Sequence, residues 1–242
     1  MPSVPKWFRD TLEKISSKYY HPVTVTEVSY LNPSLKQVRF EGDLEGCEFK
    51  PGQVVEFRVT DRDYRHYTPS YFDAQGRACE VIFYLHGKGV GSEWASGLKE
   101  GHQLKLIGPG GKLAYRDSFS THVVFGDETA IGLLTCMERA CRERQHRFIG
   151  LLEWEAANLN WDVERPAGAH VVAASLAEPA KAALGKLDEL YGKAGYDAAN
   201  TCFYLTGRAK SIQQVRNHLL SNGVPRKNIT TEPYWAEGKK GL

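Results

Sequence analysis

The chain reads as two regimes of hydrophobic patterning. From His21 to about Arg116 the apolar positions repeat every second residue. Val55, Phe57 and Val59 alternate with Glu56 and Arg58, and Cys79, Val81, Phe83 and Leu85 alternate with Glu80, Ile82, Tyr84 and His86. The same period recurs at Val23–Val25, Val38–Phe40 and Leu104–Leu106, with Asn-Pro, Pro-Gly and glycine-rich breaks between the runs. Short strands bounded by turn residues, with one helical interruption at Ser92–Leu98, predict a small antiparallel six-stranded β-barrel.

From Thr121 onward, strand and helix signals alternate. His122–Phe125, Phe148–Leu152, Val171–Ala174 and Cys202–Leu205 are short apolar runs. Between and after them lie helical stripes: Ile131, Leu134, Met137 and Cys141; Ala180, Leu184, Leu187 and Tyr191; Ile212, Val215, Leu219 and Leu220. That alternation predicts an α/β domain with a doubly wound parallel sheet. The expected division is an N-terminal helix over residues 1–20, a barrel over 21–117 and the α/β domain over 118–242. The helix rests on Pro5 and the stripe Phe8, Leu12, Ile15 and Tyr19.

Composition narrows the class. Among 242 residues, 31 are Lys or Arg and 29 are Asp or Glu, a formal charge of +2. Duplex-binding proteins usually carry a larger basic excess, so no nucleic-acid partner is expected. No apolar run approaches the ~18 residues of a membrane span, and no membrane insertion is expected. Lys6, Arg9, Asp10, Glu13, Lys14 and Lys18 interrupt the first twenty residues, which argues against a secretory leader and for a cytoplasmic protein. The five cysteines form no C-x-x-C, so a zinc ribbon or an iron–sulfur cluster is not expected, and no metal site is assigned. The signatures of zincins, α/β-hydrolases and P-loop NTPases are absent from the sequence.

The candidate chemistry lies in four short motifs. Arg65-His66-Tyr67-Thr68 sits on an extended segment, where alternation puts Arg65 and Tyr67 on one side. A guanidinium fork suits a pyrophosphate, and a tyrosine offers a flat face with a hydroxyl. Twenty residues on, His86-Gly-Lys-Gly89-Val90-Gly91-Ser92-Glu-Trp94-Ala95 runs from a strand into a helix expected to begin near Ser92, a junction that directs N–H groups at an anion. Gly108-Pro-Gly-Gly111 fits a last barrel turn, and Gly126-Asp127-Glu128-Thr129-Ala130 joins a strand to a helix.

In this order the four motifs resemble the ferredoxin reductase-like flavoproteins. With Tyr234-Trp235-Ala-Glu-Gly238 they resemble the siderophore-interacting proteins, FAD-dependent ferric-siderophore reductases. The resemblance implies FAD held by Arg65, His66, Tyr67, Thr68, Tyr84, Leu85, His86, Gly89, Val90, Gly91, Ser92, Trp94, Thr129 and Trp235. Trp94 would serve equally well as a core residue. Gly126, Asp127, Glu128 and Thr129 would mark the approach of NADH or NADPH, with a ferredoxin as another possible donor. The acceptor would be a ferric-siderophore or other ferric chelate. Because such chelates are usually anionic, Lys50, Lys239 and Lys240 are candidates to meet it. The family often has arginines directly after the Tyr-Trp pair; Ala236 and Glu237 stand there instead. Glu153 and Glu155, after the second α/β strand, would disfavour a 2′-phosphate and lean the donor toward NADH. Two other readings remain: a general flavin or ferric reductase, and a flavin-binding module without turnover.

Overall fold

The computed structural model describes residues 20–192 and 197–239. The helix expected over residues 1–20 therefore lies almost wholly outside the described residues. The chain divides into two compact units, with the division between Gly111 and Lys112. The period change in the sequence predicts a boundary near Asp117, six residues later. The linking residues go with the second unit because Tyr115 and Arg116 bond into it: the Tyr115 hydroxyl lies 2.8 Å from His146 Nδ1, and the Arg116 N–H donates to the Tyr204 hydroxyl at 3.1 Å.

In the first unit seven strands form one antiparallel sheet: β1 (Tyr20–Asn32), β2 (Leu35–Gly42), β3 (Val54–Arg58), β4 (Tyr64–Tyr67), β5 (Tyr71–Asp73), β6 (Ala78–Tyr84) and β7 (Gln103–Gly110). Their order is β4-β3-β7-β1-β2-β6-β5. The expected six strands become seven because the three-residue β5 pairs with β6 through Tyr71, Phe72 and Asp73. A segment so short carries no period of its own. The alternation in β2, β3 and β6 places Val38, Phe40, Val55, Phe57, Val81 and Phe83 in a shared core. Helix α1 (Gly89–Ser96) contributes Ala95 to that core, with Trp94 packed against it.

The second unit is a five-stranded parallel sheet ordered β10-β9-β8-β11-β12. Its strands are β8 (Thr121–Gly126), β9 (Arg147–Trp154), β10 (Ala169–Ala173), β11 (Thr201–Arg208) and β12 (Ile229–Trp235). Helices α2 (Ile131–Glu143), α3 (Lys181–Tyr191) and α4 (Ala209–Ser221) connect them. The expected runs and stripes map onto these elements apart from two ends: Ala174 lies past the end of β10, and Ala180 precedes α3 in a left-handed conformation. The strand order reverses between β8 and β11, the position where open α/β sheets receive ligands at the carboxyl ends of their strands. β12 had no strand signal: it is polar, contains Pro233 and lies at the sheet edge, where a missing N–H is tolerated.

Candidate functional site

In the first unit the structure brings Arg65, Tyr67 and Gly91 together. β4 pairs with β3 in the register Phe57↔Arg65 and Glu56↔His66, so Arg65 and Tyr67 share one face and His66 takes the other. His66 Nε2 lies 2.5 Å from Glu56 Oε2 on that opposite face, so its ring is engaged away from the other two. The Tyr67 hydroxyl reaches the Gly91 carbonyl at 3.5 Å. Its ring lies near-parallel to Trp94, with centroids 6.0 Å apart, and edge-on to Phe83 at 4.7 Å. Burial raises the Tyr67 hydroxyl well above the usual phenol range, so it serves as a neutral donor.

Helix α1 begins at Gly89, three residues before the expected Ser92. Gly87 and Gly89 adopt positive φ of 72° and 78°, which lets the chain turn out of β6 directly into the helix. Ser92, buried within the helix, accepts a hydrogen bond from the Gly87 N–H at 3.1 Å and closes the loop on itself. Lys88 precedes the helix without a side-chain cap, and the first turn contains no acidic residue. The first-turn N–H groups and the positive end of the helix dipole therefore meet no side-chain anion.

Gly91 decides the fit for a dinucleotide. A Cβ there would stand 2.9 Å from the Tyr67 hydroxyl and 3.2 Å from Arg65 Cγ, so only glycine lets the two side chains lie against the helix. Arg65 donates one guanidinium N–H to the Tyr64 carbonyl at 2.7 Å and lies 4.0 Å from Asp63. The cradle thus combines a cation, a neutral hydroxyl and an uncapped helix start, a donor set that fits a pyrophosphate.

The remaining expected residues of this unit flank the cradle. Tyr84 and His86 face one another with ring centroids 5.6 Å apart, and the Leu85 N–H bonds the Ser34 carbonyl at 2.7 Å. Thr68 is buried. Trp94 packs between Phe57, Tyr67 and Phe83, which makes it part of the aromatic core. Val90 and Trp94 also border a groove of about 470 Å³ with Val59, Leu98 and Leu104.

In the second unit the Gly126–Ala130 motif ends β8 at the switch point. Gly126 leaves room for Ala130, since a Cβ would come within 2.3 Å of the Ala130 Cβ. Asp127 is buried; its carboxylate accepts the Thr129 N–H at 2.9 Å, the Thr129 hydroxyl, and the Trp235 indole N–H at 2.6 Å. Burial raises the Asp127 pKa, against the pull of those hydrogen bonds. Trp235 keeps 37% of its surface exposed while its N–H is held. Glu128 turns into the sheet and accepts the Glu155 N–H and the Asn158 amide, each at 2.7 Å, and burial raises its pKa too.

Glu153 does not play the donor-reading part expected of it. It is buried within β9, accepting the Ala180 N–H at 2.8 Å and the Ser211 hydroxyl at 2.6 Å. Glu155 is exposed. Three residues at this edge escaped the sequence reading as a group. Arg208, buried at the end of β11, donates to the Ser175 carbonyl at 2.9 Å and pairs with Glu237, and Glu237 also meets Lys210 at 2.5 Å. The available signal was the Gly207-Arg208 step at a strand-to-helix junction. Gly207 has φ of 87°, and a Cβ there would stand 2.5 Å from Asp127 Oδ2.

Of the three candidate lysines, Lys50 is exposed in the turn ahead of β3 and Lys239 is exposed beyond β12. Lys240 lies outside the described residues.

Two family models match the chain along most of its length. Residues 54–113 match the siderophore-interacting FAD-binding domain, and residues 119–238 match the siderophore-interacting protein model. This chain belongs to the siderophore-interacting protein family. The FAD-binding match lies within the first unit apart from its last two residues, and the fold is like that of the ferredoxin reductase in carbazole 1,9a-dioxygenase, with a TM-score of 0.70 at 19% identity, covering 89% of this chain and 67% of that one. The ferric vibriobactin reductase ViuB of Vibrio cholerae is 25% identical over 180 residues, which span 72% of this chain but only 65% of that relative. The siderophore-interacting protein SipS of Aeromonas hydrophila has the same fold, with a TM-score of 0.72 at 21% identity, covering 91% of this chain and 93% of that one. A siderophore utilization protein from T. fusca gives 0.70 at 22% identity, covering 92% and 95%.

Proposed function

We propose that this siderophore-interacting protein is an FAD-dependent reductase of ferric chelates, with a ferric-siderophore as acceptor and NAD(P)H as donor. The observation that carries the reading is the close approach of Arg65 and Tyr67 to Gly91 beneath the uncapped start of α1. Bound FAD would supply the exchange between two-electron and one-electron chemistry. The balance is one NAD(P)H and two Fe(III) giving NAD(P)⁺, two Fe(II) and one proton. Ferrous iron holds hard oxygen ligands less tightly than ferric iron, so reduction loosens the chelate.

The chain's own residues have binding and orienting parts. Arg65 and the α1 amides hold the pyrophosphate, Tyr67 donates a neutral hydrogen bond beside it, and Thr68, Tyr84, Leu85 and His86 line the flavin. The strand ends at Gly126–Thr129 and Gly207 receive the donor, with Trp235 locked by Asp127 to present an aromatic face. Lys239 and Lys240, and separately Lys50, are the candidate cations to meet an anionic chelate. Burial of Glu153 leaves the argument for NADH over NADPH resting on the exposed Glu155 alone, and the donor is taken as either one. All five cysteines are unpaired, which suits a reducing compartment, and we place the reaction in the cytoplasm. Among the described residues no helix is long and apolar enough to cross a membrane.

The visible absorbance spectrum of the purified protein tests the reading directly. Flavin bands that bleach with NADH or NADPH and return on adding a ferric-siderophore are the expected result. Bands that ignore both nucleotides but bleach with a reduced ferredoxin would replace the donor. A colourless protein that takes up no added FAD would overturn the reading.

A further inference from the structure

Lys36 is 1% exposed, which is rare for a lysine. It stands on β2 on the same alternating face as the core residues Val38 and Phe40, opposite Phe83 of β6. Its ammonium donates to three main-chain carbonyls: Ala95 at 3.0 Å, Ser96 at 3.0 Å and Leu98 at 2.6 Å. Ala95 and Ser96 end α1 and Leu98 follows it, where helix carbonyls lack the regular i+4 partner; the Ala95 carbonyl also accepts the Leu98 N–H at 3.3 Å. All three ammonium donors are spent, and a cation sits at the negative end of the helix dipole.

Packing alone does not account for this choice. A buried ammonium is costly to desolvate, and an apolar side chain of similar length fills a core at lower cost. What the ammonium adds is a fixed position for the end of α1. The helix has eight residues, about 12 Å in length, so a clamp on its last turn also sets where its first-turn amides stand. Those amides lie beside Gly91, Arg65 and Tyr67.

We propose that Lys36 is a positioning residue for the dinucleotide: by clamping the carbonyl end of α1 it holds the amide end in register to receive the FAD pyrophosphate. This rests on the reading that the first unit binds FAD. It makes Lys36, 29 positions ahead of Arg65 in the chain, part of the cofactor site without touching the cofactor.

The test is Lys36→Met, which keeps a long unbranched side chain and removes the charge. FAD and riboflavin are titrated into the apoprotein and followed by fluorescence, at a temperature where wild type and variant are both folded. Riboflavin lacks the pyrophosphate. The expected result is FAD binding weakened about tenfold with riboflavin binding changed less than about twofold. No loss for FAD, or an equal loss for both ligands, overturns the proposal and leaves Lys36 a packing residue. Should Lys36→Met fail to fold, Lys36→Gln carries the same test, keeping two N–H donors without the charge, with an expected loss of about threefold confined to FAD. A wild-type protein that binds no FAD overturns the cofactor reading itself, which the titration of wild type shows before any variant is compared.

Discussion

The cradle in the first unit and the sheet edge in the second treat their polar groups in opposite ways. Around Gly91, the helix start has no side-chain cap, and among the described residues Arg65 commits one guanidinium N–H, to the Tyr64 carbonyl. At the carboxyl edge of the parallel sheet, buried charges are consumed internally: Asp127 by Thr129 and Trp235, Glu128 by Asn158, Glu153 by Ser211, Arg208 by Glu237. A group waiting for a ligand stays near solvent, where water satisfies it at little cost. A buried one must be satisfied by its own chain or it destabilises the fold. The first arrangement points to binding by side chains and amides that the ligand completes. The second points to a rigid platform whose exposed surfaces, such as the Trp235 ring, do the contacting.

Variants that break one region should leave the other intact. The largest effect on stability is expected from Glu153→Ala, which orphans the Ala180 N–H and the Ser211 hydroxyl. Equilibrium urea unfolding should show a loss of about 3 kcal/mol in the second unit. The FAD dissociation constant of the folded protein should not change, nor should its preference between NADH and NADPH. A shifted nucleotide preference would return Glu153 to a donor-reading part.

Acid should weaken the second unit to a similar degree. His122 is fully buried, with its ring stacked on Tyr115 at 4.1 Å and Nε2 2.9 Å from the Phe119 carbonyl. Burial pushes its pKa down to about 4, so the folded form holds a neutral imidazole. The unfolded chain takes up that proton near pH 6.5. The stability held by the neutral ring is thus complete above pH 6.5 and is lost as pH falls toward 4, by up to about 3 kcal/mol. His122→Gln should flatten that part of the melting-temperature profile. A profile equally steep in wild type and variant would count against His122.

Arg65→Ala should weaken FAD binding about thirtyfold, the loss of a charge-assisted pair of hydrogen bonds, with apoprotein stability changed by less than about 0.5 kcal/mol. The smallest effect should come from its neighbour. His66→Ala removes a pair with Glu56 on the opposite face, and FAD titration should move by less than about twofold. A larger loss from His66 than from Arg65 would reverse the assigned faces of β4.

The two-unit organisation was legible because period-two and helical stripes are local signals. Val55-Glu-Phe-Arg-Val59 declares a half-buried strand without reference to any partner, and the stripe from Ile131 to Cys141 declares a helix. The grouping proposed as the cofactor cradle was legible for a related reason. Arg65 and Tyr67 share a face by alternation alone, and the glycines after His86 announce a tight turn into a helix.

What the sequence by itself determined is therefore which segments are strands or helices, and which motifs stand at their junctions. Tertiary structure alone decided what each polar residue is for. Lys36 shares the core face of β2 by alternation, but only α1, some sixty residues later, brings the carbonyls that satisfy its charge. Glu153 looks like a ribose-reading acid until Ala180 and Ser211 close on it. β12 is a strand only because β11 offers it an edge. The physical reason is common to all three: the period of a segment follows from local backbone geometry, whereas the fate of a charge or a lone N–H depends on partners that chain folding brings from far away.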